Sequence, residues 1–245
     1  MFSQRGFDLV CEWGAQGIQS LASDSDVIVI VDVLSFCTAA NIAVGRGAII
    51  YPYRYKDETA EAFARLVGAE IASSRSGSGY SLSPQSLAKI SGGTKVVLPS
   101  PNGATLMQLA GSTPTLAGCL RNARVVATAA RQYGKRIAVI PAGERWPDGS
   151  LRPAFEDLIG AGAILSYLQG NMSPNAIAAV AAFQAASPNL EAMLKQCGSG
   201  VELIERGFEK DIELAAELDV SECVPVLEGP DPPEEGLRLV PWSWR

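Results

Sequence analysis

Four acidic side chains, Asp32, Glu144, Glu156 and Asp157, stand beside apolar runs in a chain with no histidine. Without histidine there is no Ser-His-Asp or Cys-His catalysis, no phosphohistidine chemistry and no His-ligated zinc. Acid–base work falls to carboxylates, Lys, Tyr, Cys or a metal-bound water, and the metal that suits such groups is an oxygen-liganded ion such as Mg²⁺. Asp32 follows the apolar run VIVIV and precedes VLSFCTAA. A carboxylate there is costly unless paired or metal-bound, so it reads either as a cap for the next helix or as an Mg²⁺ ligand. The stretch PAGERWPDGSLRPAFEDLIGAGAIL brings Glu144, Arg145, Asp148, Arg152, Glu156 and Asp157 to the mouth of an apolar helix. The helix dipole accounts for Glu156 and Asp157 in its first turns. Gly160, Ala161 and Gly162 imply close packing, so that mouth faces the core edge. Carboxylates there can share a metal, and Arg145 and Arg152 can bind oxyanions bidentately.

Other stretches suit anions. SPNGA carries Ser100, Asn102 and Gly103; glycine permits close backbone approach, and the N–H groups of a helix start favour negative charge. A plain strand–helix turn is the alternative. GCLRNA repeats the arrangement with Gly118, Arg121 and Asn122, and the Ser/Gly-rich segment 73–84 contains Arg75. The Asp32 run resembles the hhhhDxDx[TV] motif of haloacid-dehalogenase phosphatases, but Leu34 occupies the second Asp position, so that family does not fit. No G-x-G-x-x-G follows the first strand, which excludes a dinucleotide-binding oxidoreductase.

The elements that must position these groups alternate. Residues 27–33, 48–53, 95–100, 114–119 and 136–143 read as buried strands. Residues 57–72 read as a helix capped by Asp57, with Phe63, Leu66, Val67 and Ile71 on one face. Residues 122–134 form another, stopped by Gly134. The helix from 153 has Pro153 near its first turn. After Gly170 the pattern is helical, with SGVELIERGFEKDIELAAELD as one stretch, then a short strand CVPVLEG and a Pro-rich tail. The class is α/β, a layered α/β/α arrangement with a mostly parallel or mixed sheet covered by helices on both faces. Ligands bind beyond the carboxyl ends of such strands, where Asp32, SPNGA, CLRNA and PAGER all fall. Without repeat or linker, residues 1–245 read as one domain.

The 245 residues, 47% hydrophobic, suffice for a sizeable core. A net charge of −6 without a basic cluster argues against nucleic acid and leaves room for a small anion held by local arginines. The five cysteines make an odd set with no C-x-x-C pair. Ala43 and Val125 stand where the arginine of a C-x5-R loop would follow Cys37 and Cys119. Reduced thiols in a cytoplasmic protein are expected. The N-terminus lacks an apolar signal core, and no apolar run approaches the ~18 residues of a membrane span.

VDVLSFCTA, PSPNGA, AGCLRNA, AGERWPDGSLRPAFEDLIGAGAI and GFEKDIELAAELD…VPVL occur in an order and spacing that resembles the 2-phosphosulfolactate phosphatase family. The resemblance covers nearly the whole chain. It implies an α/β fold of its own and an Mg²⁺-dependent acid phosphatase that converts 2-phospho-3-sulfolactate to 3-sulfolactate and phosphate. In methanogens this step feeds coenzyme M synthesis. It carries over Asp32, Asn102, Gly103, Gly118, Asn122, Gly143, Glu144, Asp157 and Arg75. Many members have Arg where this chain has Ser35, followed by Phe36; Arg145 and Arg152 are the candidates to replace it. The expected site holds Mg²⁺ on Asp32 with one or more of Glu144, Glu156 and Asp157. Asp32, Glu144 and Asp157 are expected to be catalytic. The phosphate is expected on the Asn102–Gly103 amides, beside Ser100, and a second acidic group on an arginine. Cys37 and Cys119 are alternative nucleophiles. The rival reading is an anion-binding protein of the same fold without chemistry. A homodimer is left open.

Overall fold

The computed structural model describes residues 4–229 and 236–243. In chain order the elements are β1 (Leu9–Cys11), α1 (Gly14–Leu21), β2 (Val27–Val31), α2 (Phe36–Gly45), β3 (Ile49–Tyr53), α3 (Glu58–Val67), β4 (Glu70–Ile71), α4 (Pro84–Leu87), β5 (Lys95–Pro99), α5 (Gly103–Leu109), β6 (Thr115–Gly118), α6 (Ala123–Tyr133), β7 (Ile137–Pro141), β8 (Glu144–Arg145), β9 (Leu151–Arg152), α7 (Phe155–Ser166), α8 (Pro174–Ala186), α9 (Leu190–Gln196), α10 (Gly198–Glu205), α11 (Glu209–Ala216), β10 (Pro225–Glu228) and β11 (Arg238–Pro241).

Among the described residues the main sheet has nine strands in the order β1-β7-β2-β6-β10-β11-β3-β5-β4. Strands β1, β7, β2 and β6 are mutually parallel, and so are β3, β5 and β4. Between the two blocks lie β10 and β11, antiparallel to each other and to their outer neighbours. Following the ladder, the second block runs opposite to the first. A flat sheet would therefore send the carboxyl ends of β2 and β5 to opposite edges. They meet nonetheless: the Gly103 amide after β5 donates to Asp32 after β2 at 2.8 Å. Strand twist of about 20–25° per step accumulates to more than about 100° over the five steps from β2 to β5, which turns the two exits toward each other.

The continuous apolar runs are buried on both sides. Val27, Val29 and Val31 face α6, α7 and α8, whereas Ile28 and Ile30 share a cluster with α1, α2 and α5. Ile50, Val96 and Leu98 join that second cluster, so one curved face serves both blocks. Tyr51 and Val97 face α3 on the opposite side. This is the layered α/β/α arrangement the sequence implies. All five residues of β2 are fully buried. At about 2 kcal/mol per side chain they outweigh the several kcal/mol that an uncompensated buried carboxylate costs, so β2 can carry Asp32 to its end.

Several boundaries differ from expectation. Helix α3 is capped by Asp57 as read, but ends at Gly68, whose φ of +63° is left-handed. Ile71 therefore lies in edge strand β4 and not on the helix face, and Leu66 is exposed. Gly207, at φ +81°, divides the expected long C-terminal helix into α10 and α11. Pro153 sits just before Ala154, the N-cap of α7. The Pro-rich tail supplies an internal strand, β11; its residues 230–235 lie outside the described residues. No helix among the described residues is long and apolar enough to cross a membrane.

Candidate active site

Asp32 stands between two helix starts. Its Oδ1 accepts the Phe36 amide at 3.0 Å, opening α2, and its Oδ2 accepts the Gly103 amide, opening α5. The capping reading is therefore right for two helices at once. Each carboxylate oxygen keeps a second lone pair, and Asp32 lines the cleft described below. Burial pushes its pKa up to about 6 against the pull of those two amides.

Asp157 performs a similar task deeper down. Its Oδ1 accepts the Val33 amide at 2.7 Å and its Oδ2 the Gly143 amide at 2.8 Å. It ties the exits of β2 and β7 to the first turn of α7. Burial, and then the charge of Asp32, hold its pKa well above the usual carboxylate range. Gly143 needs its identity: φ is +70°, and a Cβ would lie 2.7 Å from Leu151 Cδ1. Glu156 is buried beside Cys197, whose thiol is pushed up to about 12 by burial and then by the Glu156 charge.

Glu144 opens β8, three residues beyond the end of β7. Asn102 Nδ2 donates to its Oε2 at 2.8 Å. Burial, with the charge of Asp32 next, raises its pKa to about 7. Between Asp32 and Glu144 opens a cleft of about 340 Å³, also lined by Ser35, Arg75, Ser100 and Asn102. Arg75 reaches it from the Ser/Gly loop. Its Nη2 donates to Ser35 Oγ at 2.8 Å and its Nη1 pairs with Asp211 of α11. Asp211 is fully buried and also accepts from Ser83 Oγ at 2.5 Å and the Gln85 amide at 3.2 Å. The guanidinium is thus fixed from behind, with its remaining donors available to the cleft.

A model of the 2-phosphosulpholactate phosphatase family matches residues 16–230. The chain belongs to this family. It is 31% identical over 212 residues to the probable 2-phosphosulfolactate phosphatase of Carboxydothermus hydrogenoformans, covering 83% of this chain and 87% of that one. It is 29% identical over 205 residues to the 2-phosphosulfolactate phosphatase of Methanothermobacter thermautotrophicus, covering 82% and 87%. The probable enzyme of Deinococcus radiodurans is 29% identical over 231 residues, covering 88% and 93%.

In this member of the phosphosulfolactate phosphatase family the sequence-selected residues divide into groups. Asp32, Arg75, Ser100, Asn102 and Glu144 line the cleft. Gly103, Gly143, Glu156 and Asp157 support it through amides and buried charge. Gly118 and Asn122 are placed elsewhere. A Cβ at Gly118 would lie 2.5 Å from Ile164 Cδ1, so it is a packing position. Asn122 accepts from the Cys119 amide and donates to the Ala117 and Cys223 carbonyls, closing the turn into α6. Arg145 is exposed on β8 and lines a neighbouring cavity. Arg152 approaches Ser199 Oγ at 3.4 Å and stacks over Trp146. Neither takes the place beside Ser35; Arg75 does. Cys37 and Cys119 are buried, with thiols pushed up by burial, and are unsuited to nucleophilic attack.

Sequence reasoning did not find Ser199, Glu202 and Arg206, which form the far wall, or Asp211 behind Arg75. They lie in helices whose pattern looks like ordinary amphipathic surface. The i,i+4 pair Glu202–Arg206 was readable, at 2.9 Å in the structure, but it resembles any solvated helix pair.

Proposed function

We propose that this chain hydrolyses a small phosphorylated acid, 2-phospho-3-sulfolactate or a close relative, to the free hydroxy acid and inorganic phosphate. The observation that carries this reading is the Asp32–Glu144 cleft with Arg75 anchored across it, in a chain of this family. The names of the relatives supply the substrate.

The two carboxylates divide the proton work. Glu144, raised to about 7 and steadied by Asn102, keeps a proton on much of the population at neutral pH. It gives that proton to the ester oxygen as the phosphorus–oxygen bond breaks. Asp32, at about 6, is mostly ionised at the same pH. It orients the attacking water and takes its proton as the new phosphorus–oxygen bond forms. Arg75 donates to phosphate oxygens.

The donor set also suits Mg²⁺. The guanidinium groups lining the cleft are each paired with a carboxylate, Arg75 with Asp211 and Arg206 with Glu202, so Arg75 brings hydrogen-bond donors to the phosphate but little surplus positive charge. Among the described residues no three His, Cys, Asp or Glu side chains form a ready metal cage. Mg²⁺ characteristically takes one or two carboxylates and completes its shell with water and phosphate oxygens. Asp32 would hold it, with Glu144 left as the proton donor, and when bound the ion would neutralise phosphate charge. Five free thiols fit the reducing cytoplasm.

The test is a phosphate-release screen over small phosphorylated acids, with Mg²⁺ and with EDTA. Release from 2-phospho-3-sulfolactate that stops in EDTA is expected. Binding without release from any ester would make this chain an anion-binding member of the family.

A further inference from the structure

Beside the cleft lies a second cavity of about 220 Å³. The two share two lining residues, Asn102 and Glu144, joined by their 2.8 Å hydrogen bond. The second cavity differs in character. Trp13, Ala142, Leu106 and Leu151 give it apolar walls, and Gln16 and Arg145 supply its other polar side chains. Arg145 reaches it from β8 and spends one N–H on the Gly149 carbonyl at 3.1 Å. A guanidinium can hold a carboxylate or sulfonate with two parallel N–H groups.

We infer that this cavity is the subsite for the organic part of the substrate, with Arg145 and Gln16 holding its far acidic group. The inference rests on the proposed hydrolase reading and deepens it. The reasoning is spatial. The phosphate belongs with Asp32 and Arg75 in the larger cleft. Glu144 and Asn102 touch both spaces, so the ester oxygen that joins the phosphate to its carbon chain lies at their boundary. In a displacement at phosphorus the leaving group departs opposite the attacking water. With the water at Asp32, the leaving group points past Glu144 into the second cavity. The volume there is about seven times a water's share of the liquid, enough for a three-carbon acid. The apolar walls take the carbon chain, and the arginine is at the rim.

Calorimetric titration separates the two subsites. The probes are inorganic phosphate and 3-sulfolactate, each with Mg²⁺ present, against the wild type, Arg145→Met, Arg145→Lys and Gln16→Leu. Arg145→Met should weaken 3-sulfolactate at least tenfold and phosphate less than twofold, with Arg145→Lys recovering part of the loss. Gln16→Leu should act in the same direction, more weakly. Arg145 is exposed on a surface hairpin, so these proteins should fold; far-ultraviolet circular dichroism checks this. Equal losses for both probes, no loss for either, or a wild type that binds neither would overturn the subsite. A wild type that binds both and discriminates as described, yet releases no phosphate from any ester, would overturn the hydrolase reading and leave the subsite standing.

Discussion

The amide of Gly103 donates to the carboxylate of Asp32 at 2.8 Å, and the space a Gly103 side chain would need is already taken. A Cβ there would lie 2.6 Å from Asp32 Oδ2 and 2.6 Å from Phe36 Cδ1. The sequence reading offered this amide to the phosphate; the structure commits it to Asp32. Gly103→Val should therefore lower stability as well as abolish activity, because it pushes apart two helix starts. A loss of about 1–3 kcal/mol is expected from overpacking, measured by urea unfolding alongside phosphate release. A stable, fully active Gly103→Val protein would refute this role.

Asp32→Asn sets two effects against each other. The amide side chain can accept one of the two N–H groups and must turn its own NH₂ toward the other, at a cost of about 1–3 kcal/mol. Against this, it removes a buried charge whose pKa of about 6 corresponds to a penalty on the order of 3 kcal/mol above that pH. With the folded pKa raised, the native state binds its proton more tightly, so wild-type stability falls as pH rises from about 4 to about 6. Without Mg²⁺ the variant should melt below the wild type at pH 5 and level with it or above it at pH 8. Mg²⁺ should raise the wild-type melting temperature by mass action and move the variant much less. Equal Mg²⁺ shifts would remove Asp32 from ion binding.

Glu144 should set the alkaline limb of the pH profile. Its raised pKa of about 7 predicts that kcat/KM declines as pH climbs through that value. Glu144→Gln keeps an acceptor for Asn102 but has no proton to give. It should cost about 10²–10⁴-fold in kcat with an activated alkyl ester less affected. Stability follows the same sign as for Asp32: wild type loses it between about 4.5 and 7, and the variant's curve should be flatter. An alkaline limb that survives in Glu144→Gln would assign the proton to another group.

Asp211 should act through Arg75. Asp211→Asn leaves a buried guanidinium short of its counter-charge, which costs about 3–5 kcal/mol when a buried pair is broken. The double variant Arg75→Met/Asp211→Leu removes both charges and should regain most of that stability. It should not regain phosphate binding: KM should stay raised about tenfold or more, with kcat less changed. Recovery of normal KM in the double variant would show that Arg75 does not touch substrate.

The sequence made some of this readable. Continuous β-branched runs located β2, β3, β5 and β7 because strands buried on both faces have no polar alternation. Asp57 and Gly134 marked helix ends because capping is local chemistry. Gly118 shows the limit. A glycine after a strand reads alike whether a ligand or Ile164 needs the room. Asp211 and Arg206 show another, since their approach to the cleft depends on how α10 and α11 return across 100 residues or more to the Ser/Gly loop and β5, a long-range fact with no local signature. The opposed running of the two parallel blocks was equally invisible, because VPVL and RLVP do not announce that they lie mid-sheet.

That insertion has a consequence for synthesis. Asp32 and Glu144 leave one block of strands, Ser100 and Asn102 leave the other, and among the described residues the blocks are joined through the ladders of β10 and β11. Both follow every other described strand of the sheet in chain order. Each block can pair its own strands early, but the sheet remains in two pieces until Arg238–Pro241 is delivered. A nascent chain therefore carries the cleft-lining groups long before it carries the arrangement, and an interrupted translation product would hold both halves of a cleft with nothing to close it.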